Sequence, residues 1–371
     1  MSGRIVLFGA TGFTGELTAR ALVGHGARPL LTARSRERVE ALAADLGGLD
    51  SAVAELSRPR ALADLVERGD VLVSTVGPFA RWGEPAVRAA IATGAHYIDS
   101  TGEPPFIRAV FERFGPEAHR AGSGLLTAMG YDYVPGNLAG ALALREPGAR
   151  AVRVDVGYFT SAGTAGQLSG GTRASAGGIL TEPGYAFRGG RLRSERPARH
   201  VRDFELAGRK RAAISVGATE QFTLPRIHPG LQDVGVWLGW FGPASRPLAL
   251  LSGATELVTK LPGVRAAIGA TTSKLVKGSS GGPGATARAQ TRSIVVAIAS
   301  DATGAPLASA ALEGCNPYDF TAGMLAWSAL QAAGGGLRGS GALGPVDGFG
   351  LEALEAGVTD AGITALDTVS E

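Results

Sequence analysis

Three glycines near the start of the 371-residue chain have the spacing of a nucleotide-binding turn. They are Gly9, Gly12 and Gly15 in RIVLFGATGFTGELTARAL, directly after an apolar run that predicts a strand. Glycine there lets the backbone approach a pyrophosphate, and the following helix offers N–H groups and a partial positive charge. Thr11 and Thr14 could add hydroxyl donors. The spacing predicts a dinucleotide site, with an ordinary strand–helix turn as the alternative.

The end of the second predicted strand indicates which dinucleotide is bound. It reads Ala33-Arg34-Ser35 and lacks the acidic residue that usually holds the ribose 2′-hydroxyl of NAD. Arg34, Ser35 and Arg38 can all reach a 2′-phosphate, so the pattern favours NADP(H) over NAD(H). The alternative is that Arg34 and Arg38 cap the start of a solvated helix.

The elements that position these residues alternate along the first third of the chain. Strands are predicted in RIVLFG, RPLLTAR, SAVAEL, DVLVSTV, HYIDS and GLLTAM, and helices in stretches such as RERVEALAADL and EPAVRAAIATG. This alternation indicates a Rossmann-type α/β fold, a doubly wound parallel sheet with helices on both faces.

The pattern changes after about residue 130. AVRVDVGYF and parts of RKRAAISV and EQFTL alternate with period two, and TRSIVVAIAS and APLASAALEG flank DATG as a hairpin. YDFTAGMLAWSALQAA predicts an amphipathic helix. We therefore predict a Rossmann NADP(H)-binding domain over 1–130, an α+β substrate or dimerisation domain with a mostly antiparallel sheet over 131–333, and a segment 334–371 that returns to the first domain.

Composition narrows the functional class. The formal net charge is +3, and the arginines are scattered among acids, so nucleic-acid binding is not expected. One cysteine and five scattered histidines predict neither a disulfide framework nor a metal site. No signal peptide is predicted, and proline, serine and arginine interrupt the longest apolar tract, VGVWLGWFGPASRPLALLSGA. A cytoplasmic enzyme without a transmembrane segment is expected.

A search for the Tyr-x-x-x-Lys pair of short-chain dehydrogenases gives a negative result. The chain has four lysines, and the residues four positions before them are Leu206, Glu256, Ala270 and Ser273. Short-chain dehydrogenases use this pair for proton transfer. The glycine turn therefore belongs to another class of dinucleotide enzyme.

Several motifs together resemble the saccharopine dehydrogenase-like family. They are Gly77-Pro78-Phe79, Gly83-Glu84-Pro85, YIDSTGE at 97–103 and GYDYVPGNL at 130–138. SGGTRAS at 169–175 is similar to a block of the branch called trans-acting enoyl reductases. The resemblance is dense over 1–140 and patchy beyond. It implies a reductase whose nicotinamide lies against the loops after the fourth and fifth strands.

The predicted cofactor contacts combine the glycine turn, the end of the second strand and these two loops. They are Gly9, Thr11, Gly12, Phe13, Thr14, Gly15, Arg34, Ser35, Arg38, Val76, Gly77, Pro78, Phe79, Asp99, Thr101 and Gly102. Gly77-Pro78 has a rigid turn without a ligand as its alternative. Asp99 is as well explained by capping or a turn as by cofactor contact.

A reductase also needs a proton source. Tyr131, Asp132 and Glu103 are candidates near the junction between the domains, and Thr172 could orient a carbonyl. A junction tyrosine, such as Tyr131 or Tyr133, has packing as its alternative, and solvent could supply the proton instead.

The interpretation is an NADP(H)-dependent reductase of an unsaturated, enoyl-type substrate, apolar or carrier-bound, acting as a homodimer. One alternative is imine reduction of an amino-acid adduct, which would need a carboxylate clamp such as Arg173 or Arg188. Another is a non-catalytic nucleotide-binding scaffold, with the tract around Trp237, Trp240 and Phe241 as a peripheral lipid contact. We favour a cavity wall or a dimer interface for that tract.

Overall fold

The computed structural model describes residues 3–56, 58, 60–161, 183–258 and 281–366. The strands are β1 Ile5–Phe8, β2 Leu30–Ala33, β3 Ser51–Val53, β4 Val71–Ser74, β5 His96–Asp99, β6 Gly124–Leu126, β7 Arg153–Thr160, β8 Gly184–Arg188, β9 Arg191–Glu195, β10 Val201–Leu206, β11 Arg209–Ser215, β12 Asp233–Leu238, β13 Ser293–Ser300, β14 Pro306–Gly314, β15 Gly341–Ala342 and β16 Ile363–Leu366.

The helices vary from one turn to 17 residues. They are α1 Phe13–Gly24, α2 Arg36–Asp45, α3 Phe79–Trp82, α4 Glu84–Thr93, α5 Pro104–Ala109, α6 Gly115–Ala121, α7 Val134–Arg145, α8 Glu220–Ile227, α9 Ser245–Val258, α10 Ala285–Ala289, α11 Pro317–Ala333, α12 Pro345–Phe349 and α13 Leu351–Asp360. A π-helical stretch, Val110–Phe114, joins α5 to α6.

The chain forms two compact units, both built from discontinuous stretches. Unit 1 comprises Met1–Gly102, Phe106–Leu138 and Cys315–Thr364, and unit 2 comprises Glu103–Pro105, Ala139–Gly314 and Ala365–Glu371.

Unit 1 contains a seven-stranded parallel sheet in the order β15-β6-β5-β4-β1-β2-β3. All residues of β1 and β4 are buried, as in the central strands of a sheet covered on both faces. The strand order reverses between β1 and β4, where open α/β sheets place their ligands. All six predicted strands of the first third are confirmed, and so is the doubly wound fold.

The C-terminal stretch of unit 1 completes this sheet. Gly341 of β15 pairs with Gly124 of β6, and α11 packs against α1, where the Tyr318 ring meets Phe13 edge-on at 5.3 Å between centroids. Asn316 accepts hydrogen bonds from two backbone N–H groups at the start of α11. The predicted helix is confirmed, and it lies in unit 1, although the sequence analysis assigned its residues to the second domain.

Unit 2 is built on a mixed nine-stranded sheet. Its main path runs β10-β11-β12-β7-β13-β14-β16, with β8 and β9 attached through β12. The β7/β13, β13/β14 and β10/β11 pairs are antiparallel, whereas β12 runs parallel to β7. The predicted DATG hairpin is confirmed, because the Asp301 N–H donates to the Ala305 carbonyl between β13 and β14.

One predicted strand of this region is wrong. EQFTL, residues 220–224, forms the first part of α8. The Gln221 amide accepts from the Ala218 N–H at 2.7 Å and donates to the Val216 carbonyl at 3.1 Å. The Thr223 hydroxyl donates to the Thr219 carbonyl at 3.0 Å. The Gln221 bonds cap the start of α8 and favour a helical turn over the short alternating pattern, and the Thr223 bond is compatible with that turn.

The apolar tract of 234–241 lies largely inside unit 2. Trp237 is buried with Phe159 and Phe204, and its indole N–H donates to the Asp155 carboxylate at 2.8 Å. Trp240 and Phe241 are half-buried. A buried Trp237 does not fit a lipid contact centred on this residue. Within the described ranges, no helix is both long and apolar enough to span a bilayer.

Candidate cofactor-binding and catalytic site

The turn from β1 into α1 leaves no room for side chains at two glycines, one before α1 and one in its first turn. Gly9 has φ +90°, and a Cβ there would lie 2.7 Å from Val76 Cγ2 and 2.8 Å from Thr75 Oγ1. A Cβ on Gly15 would lie 2.1 Å from the Gly9 carbonyl oxygen. Only glycine allows α1 to begin this close to the end of β1.

Thr75 braces this loop, although the sequence analysis did not single it out. Its hydroxyl lies 3.2 Å from the carbonyl oxygens of both Phe8 and Gly9, and its N–H donates to Phe8. The signal in the sequence was its position, directly after the buried strand β4. Thr75 ties the end of β4 to the glycine turn.

The start of α1 is suited to an anion. Gly12 is the N-cap and has no side chain to accept from the first turn of the helix. The hydroxyls of Thr11 and Thr14 make no hydrogen bond to any described residue, so they remain available beside the helix N-terminus. A pyrophosphate fits this combination of backbone N–H groups, hydroxyls and helix dipole. Phe13 instead packs on Tyr318.

The end of β2 exposes a free guanidinium. Arg34 is exposed and makes no hydrogen bond or ion pair to any described residue. Ser35 is the N-cap of α2 and accepts from the Arg38 N–H, and the Arg38 guanidinium donates to the Thr11 carbonyl at 2.8 Å. Arg38 thus joins α2 to the glycine turn, while Arg34 is free to bind a 2′-phosphate.

The loop after β4 divides into a surface part and a core part. Val76, Gly77 and Pro78 are half-exposed at the carboxyl edge of the sheet, with a cis peptide between Gly77 and Pro78. Phe79 is buried, and its ring packs on Phe106 at 5.7 Å between centroids. The first three residues can face a cofactor, while Phe79 supports them from the core.

Asp99, at the end of β5, has its carboxylate filled by protein donors. Oδ1 accepts from the N–H groups of Thr101 at 2.8 Å and Ala128 at 2.9 Å, and Oδ2 accepts from the Thr127 hydroxyl at 2.8 Å. Burial raises the pKa of Asp99 to about 6, although these bonds favour the charged form. This geometry agrees with the prediction that Asp99 is a turn residue, because its hydrogen bonds connect the loops after β5 and β6.

Asp132, in the loop after β6, has the opposite environment. Its Oδ1 atom is shielded from solvent and has no hydrogen-bond partner among the described residues. Its Oδ2 atom lies 3.3 Å from where a Cβ of Gly102 would be, so it faces the loop after β5. Burial raises the pKa of Asp132 to about 7. A group with this pKa can exchange a proton near neutral pH.

The other residues predicted to be catalytic are either buried or outside the described part of the chain. Tyr131 is buried, donates its N–H to Thr321 Oγ1 at 3.0 Å and packs edge-on against Phe320. Glu103 is buried and belongs to unit 2. Thr172 lies outside the described residues, as does the rest of SGGTRAS. In the described ranges, no cluster of three His, Cys, Asp or Glu side chains could hold a metal.

Comparison with known proteins identifies relatives of part of the chain. Trans-acting enoyl reductases of Mycobacterium leprae and Mycobacterium ulcerans are 41% and 39% identical to it over 140 residues. Each match covers 36% of this chain and 34% of the relative, so the similarity spans about a third of either protein. The L-Glu-forming saccharopine dehydrogenase of Saccharomyces cerevisiae shares the fold, with a TM-score of 0.58 over 98% of this chain and 100% of that one, at 12% identity.

The family match covers the glycine turn and the loops after β2, β4 and β5, and it ends before β6 and the loop that carries Asp132. The saccharopine dehydrogenase NADP-binding domain family matches residues 5–123, which run from β1 to the start of β6. The resemblance predicted from the sequence motifs is confirmed, and so is the preference for NADP(H). Residues 5–123 therefore match the saccharopine dehydrogenase NADP-binding domain family, and the cofactor of this domain is NADP(H).

Proposed function

We propose that this protein is an NADP(H)-dependent reductase of an unsaturated, enoyl-type acyl substrate. One observation carries the proposal: a single compact unit combines the NADP(H) cradle with Asp132, a shielded carboxyl group at the carboxyl edge of the same sheet. The enoyl-reductase names of relatives about 40% identical over a third of the chain support the choice of substrate class.

Each part of the cradle has a distinct task in this proposal. Bound NADP(H) supplies a hydride. The start of α1 holds the pyrophosphate, Arg34 pairs with the 2′-phosphate, and Val76, Gly77 and Pro78 lie beside the nicotinamide. Because Thr75 and the close contact at Gly15 fix the glycine turn, these groups are positioned before the cofactor arrives.

Two observations favour C=C reduction over other reductions. The sequence has no Tyr-x-x-x-Lys pair, which a short-chain carbonyl reductase would use. An amino-acid imine would need a cation for its carboxylate, but Arg188 lies 3.9 Å from Asp233 in unit 2. Arg173, the other predicted clamp, lies outside the described residues. A conjugated acyl group needs no such clamp.

The first test is a nicotinamide-fluorescence titration with NADPH and NADH. Arg34→Ala should weaken NADPH binding roughly 10- to 100-fold by removing a charge-assisted contact with the 2′-phosphate, and should leave NADH binding unchanged. Arg36→Ala is the matched control, because Arg36 is exposed nearby but pairs with Glu40 at 3.2 Å. Equal weakening by both variants would contradict the assigned role of Arg34.

The second test determines which class of substrate the protein reduces. Purified protein with NADPH is offered enoyl thioesters of N-acetylcysteamine and, separately, imines formed from an amino acid and a 2-oxo acid. Oxidation of NADPH with the thioesters alone supports the proposal, whereas oxidation with the imines alone selects the amino-acid alternative. Tight NADPH binding without turnover of either class would favour the scaffold.

A further inference from the structure

The carboxyl group of Asp132 has fewer hydrogen-bond donors around it than that of Asp99 in the described residues. Buried polar atoms in folded proteins almost always have a hydrogen-bond partner, and an exception calls for a functional explanation. Oδ1 of Asp132 is such an exception within the described residues. The unpaired Oδ1 atom lowers the stability of the fold. It lies in the loop after β6, at the edge where open α/β sheets bind their ligands.

In the part of the chain that the structure describes, no cation compensates the charge of Asp132. Tyr131 and Tyr133 flank it in sequence and are buried, Gly102 faces its Oδ2 atom, and Glu103 follows Gly102 in the chain. Asp99, the acid on the neighbouring loop, is engaged with three donors. Burial alone raises the pKa of Asp132, so its neutral form is present at and below neutral pH.

We propose that Asp132 is the proton donor of the reduction and delivers its Oδ1 proton to the α-carbon of an enoyl thioester. This inference rests on the function proposed above. Asp132 is preferred to the nearby acid Asp99, whose carboxylate accepts three hydrogen bonds, and to the candidate Tyr131, whose ring packs edge-on against Phe320.

The step balances without a further reactant. Hydride addition at the β-carbon moves the C=C electron pair towards the carbonyl and leaves an enolate. A C–H bond then forms at the α-carbon as the Asp132 O–H bond breaks, and the enolate becomes the saturated thioester. The carboxylate left on Asp132 takes a proton from water before the next turnover. The substrate gains two electrons in all, which the cofactor loses.

The probe for this assignment is the N-acetylcysteamine thioester of tiglic acid, whose α-carbon carries a methyl group. Protonation at that carbon creates a stereocentre, so the product records which face received the proton. Wild-type protein should give one enantiomer of the 2-methylbutanoyl thioester. Asp132→Asn should react about 10²-fold more slowly or worse and give a mixture, because solvent protonates either face.

The pH profile gives a second readout. The wild-type rate should fall as pH rises through about 7, because the neutral acid disappears, and the profile of Asp132→Asn should lack this fall. Asp132→Glu restores a carboxylic acid and should recover part of the rate. Asp360→Asn, on the exposed end of α13, is the matched control and should behave as wild type. NADPH titration of every variant reports whether the cradle is folded.

The outcomes separate the two proposals. If Asp132→Asn binds NADPH and keeps both the wild-type pH profile and the single enantiomer, the role of Asp132 is overturned while enoyl reduction stands. If Asp132→Asn does not bind NADPH and Asp132→Glu recovers binding but not the stereochemical preference, the role of Asp132 is again overturned. If wild-type protein binds NADPH but reduces neither this probe nor straight-chain enoyl thioesters, the proposed function fails, and the assignment of Asp132 fails with it.

Discussion

The loop after β1 and the pair of loops after β5 and β6 lie at the same edge of one sheet, but backbone groups form the first and side chains dominate the second. The first is made of backbone, with glycines where a Cβ would collide with a neighbouring atom. The second contains two side-chain carboxyls, Asp99, which holds the loops together through hydrogen bonds, and Asp132, whose Oδ1 atom is shielded from water. The first presents fixed dipoles, and the second presents groups that titrate.

Burial alone does not assign a role to an acid in this protein. Asp99 and Asp132 both have raised pKa values because of burial. Three donors surround Asp99 and make it a structural link, whereas no donor of the described residues reaches Asp132 Oδ1, the atom to which we assign a role in the reaction. Four predictions test this contrast, in order of decreasing effect on the free energy of unfolding.

Asp99→Ala should cause the largest loss of stability. It removes the acceptor of two N–H groups and one hydroxyl in a buried site, at roughly 1–3 kcal/mol for each donor left unsatisfied, and we expect about 4 kcal/mol in total. Urea denaturation measures the change. Asp360→Ala, at an exposed position, should change stability by about 0.5 kcal/mol or less. A loss of stability below about 1 kcal/mol for Asp99→Ala would contradict the structural role assigned to Asp99.

Gly15→Ala tests the backbone-built loop. The new Cβ would lie 2.1 Å from the Gly9 carbonyl oxygen, and such overpacking costs about 3 kcal/mol. The turn must shift to relieve it, so NADPH binding should fall by at least tenfold. Gly24→Ala, at the exposed end of α1 with nothing within 4 Å, should be neutral or stabilising. Unchanged NADPH affinity in Gly15→Ala would show that the tight turn is not part of the site.

Asp132→Asn should stabilise the fold at high pH. A carboxyl whose pKa is raised on folding from 3.8 to about 7 favours the folded state below pH 3.8, and this contribution is lost as pH rises through about 7. The variant carries no charge and avoids that loss, so it should be more stable than wild type at pH 8, while the two converge near pH 4. Thermal unfolding across this range measures the difference; a constant offset at every pH would contradict the titration of Asp132.

Thr75→Val should have the smallest effect, about 1 kcal/mol. The substitution keeps the shape of the side chain and removes the hydroxyl near the Phe8 and Gly9 carbonyl oxygens. Thr75→Ser, which keeps the hydroxyl, is the control. Guanidinium denaturation together with NADPH titration shows whether stability and affinity fall together in the valine variant, as a brace of the glycine turn requires. Equal behaviour of the two variants would exclude that role.

The glycine loop was predictable from the sequence because its determinants are local. Strand, turn and helix follow one another within 20 residues, and Gly9, Gly12 and Gly15 lie in a single turn. The parallel strands were also predictable, since each is a short apolar run between helical stretches. The helical conformation of EQFTL was not predictable, because five alternating residues fit a strand and a helix equally well. The hydrogen bonds that Gln221 makes at the start of α8 favour the helix.

The contrast between the two acids was beyond the sequence because it depends on partners far along the chain. Asp99 meets Thr127 and Ala128, and Asp132 meets Gly102, about thirty residues away in each case. Both aspartates read alike as acids close to strand ends. Which one is saturated with donors depends on how the loops after β5 and β6 fold against each other, a property of tertiary packing rather than of local pattern.

The discontinuity of unit 1 has a consequence for protein synthesis. The first 138 residues leave the ribosome carrying every predicted cofactor contact, yet they lack α11, which covers α1, and β15, which extends the sheet beyond β6. Until about 200 further residues have been made, through α11 and β15, the nascent cofactor domain keeps apolar surface exposed, for roughly 10–40 s at usual translation rates. A fragment ending at Leu138 should keep this apolar surface exposed, because it never gains α11 and β15. The domain is therefore best isolated by joining Leu138 to Cys315 through a short linker.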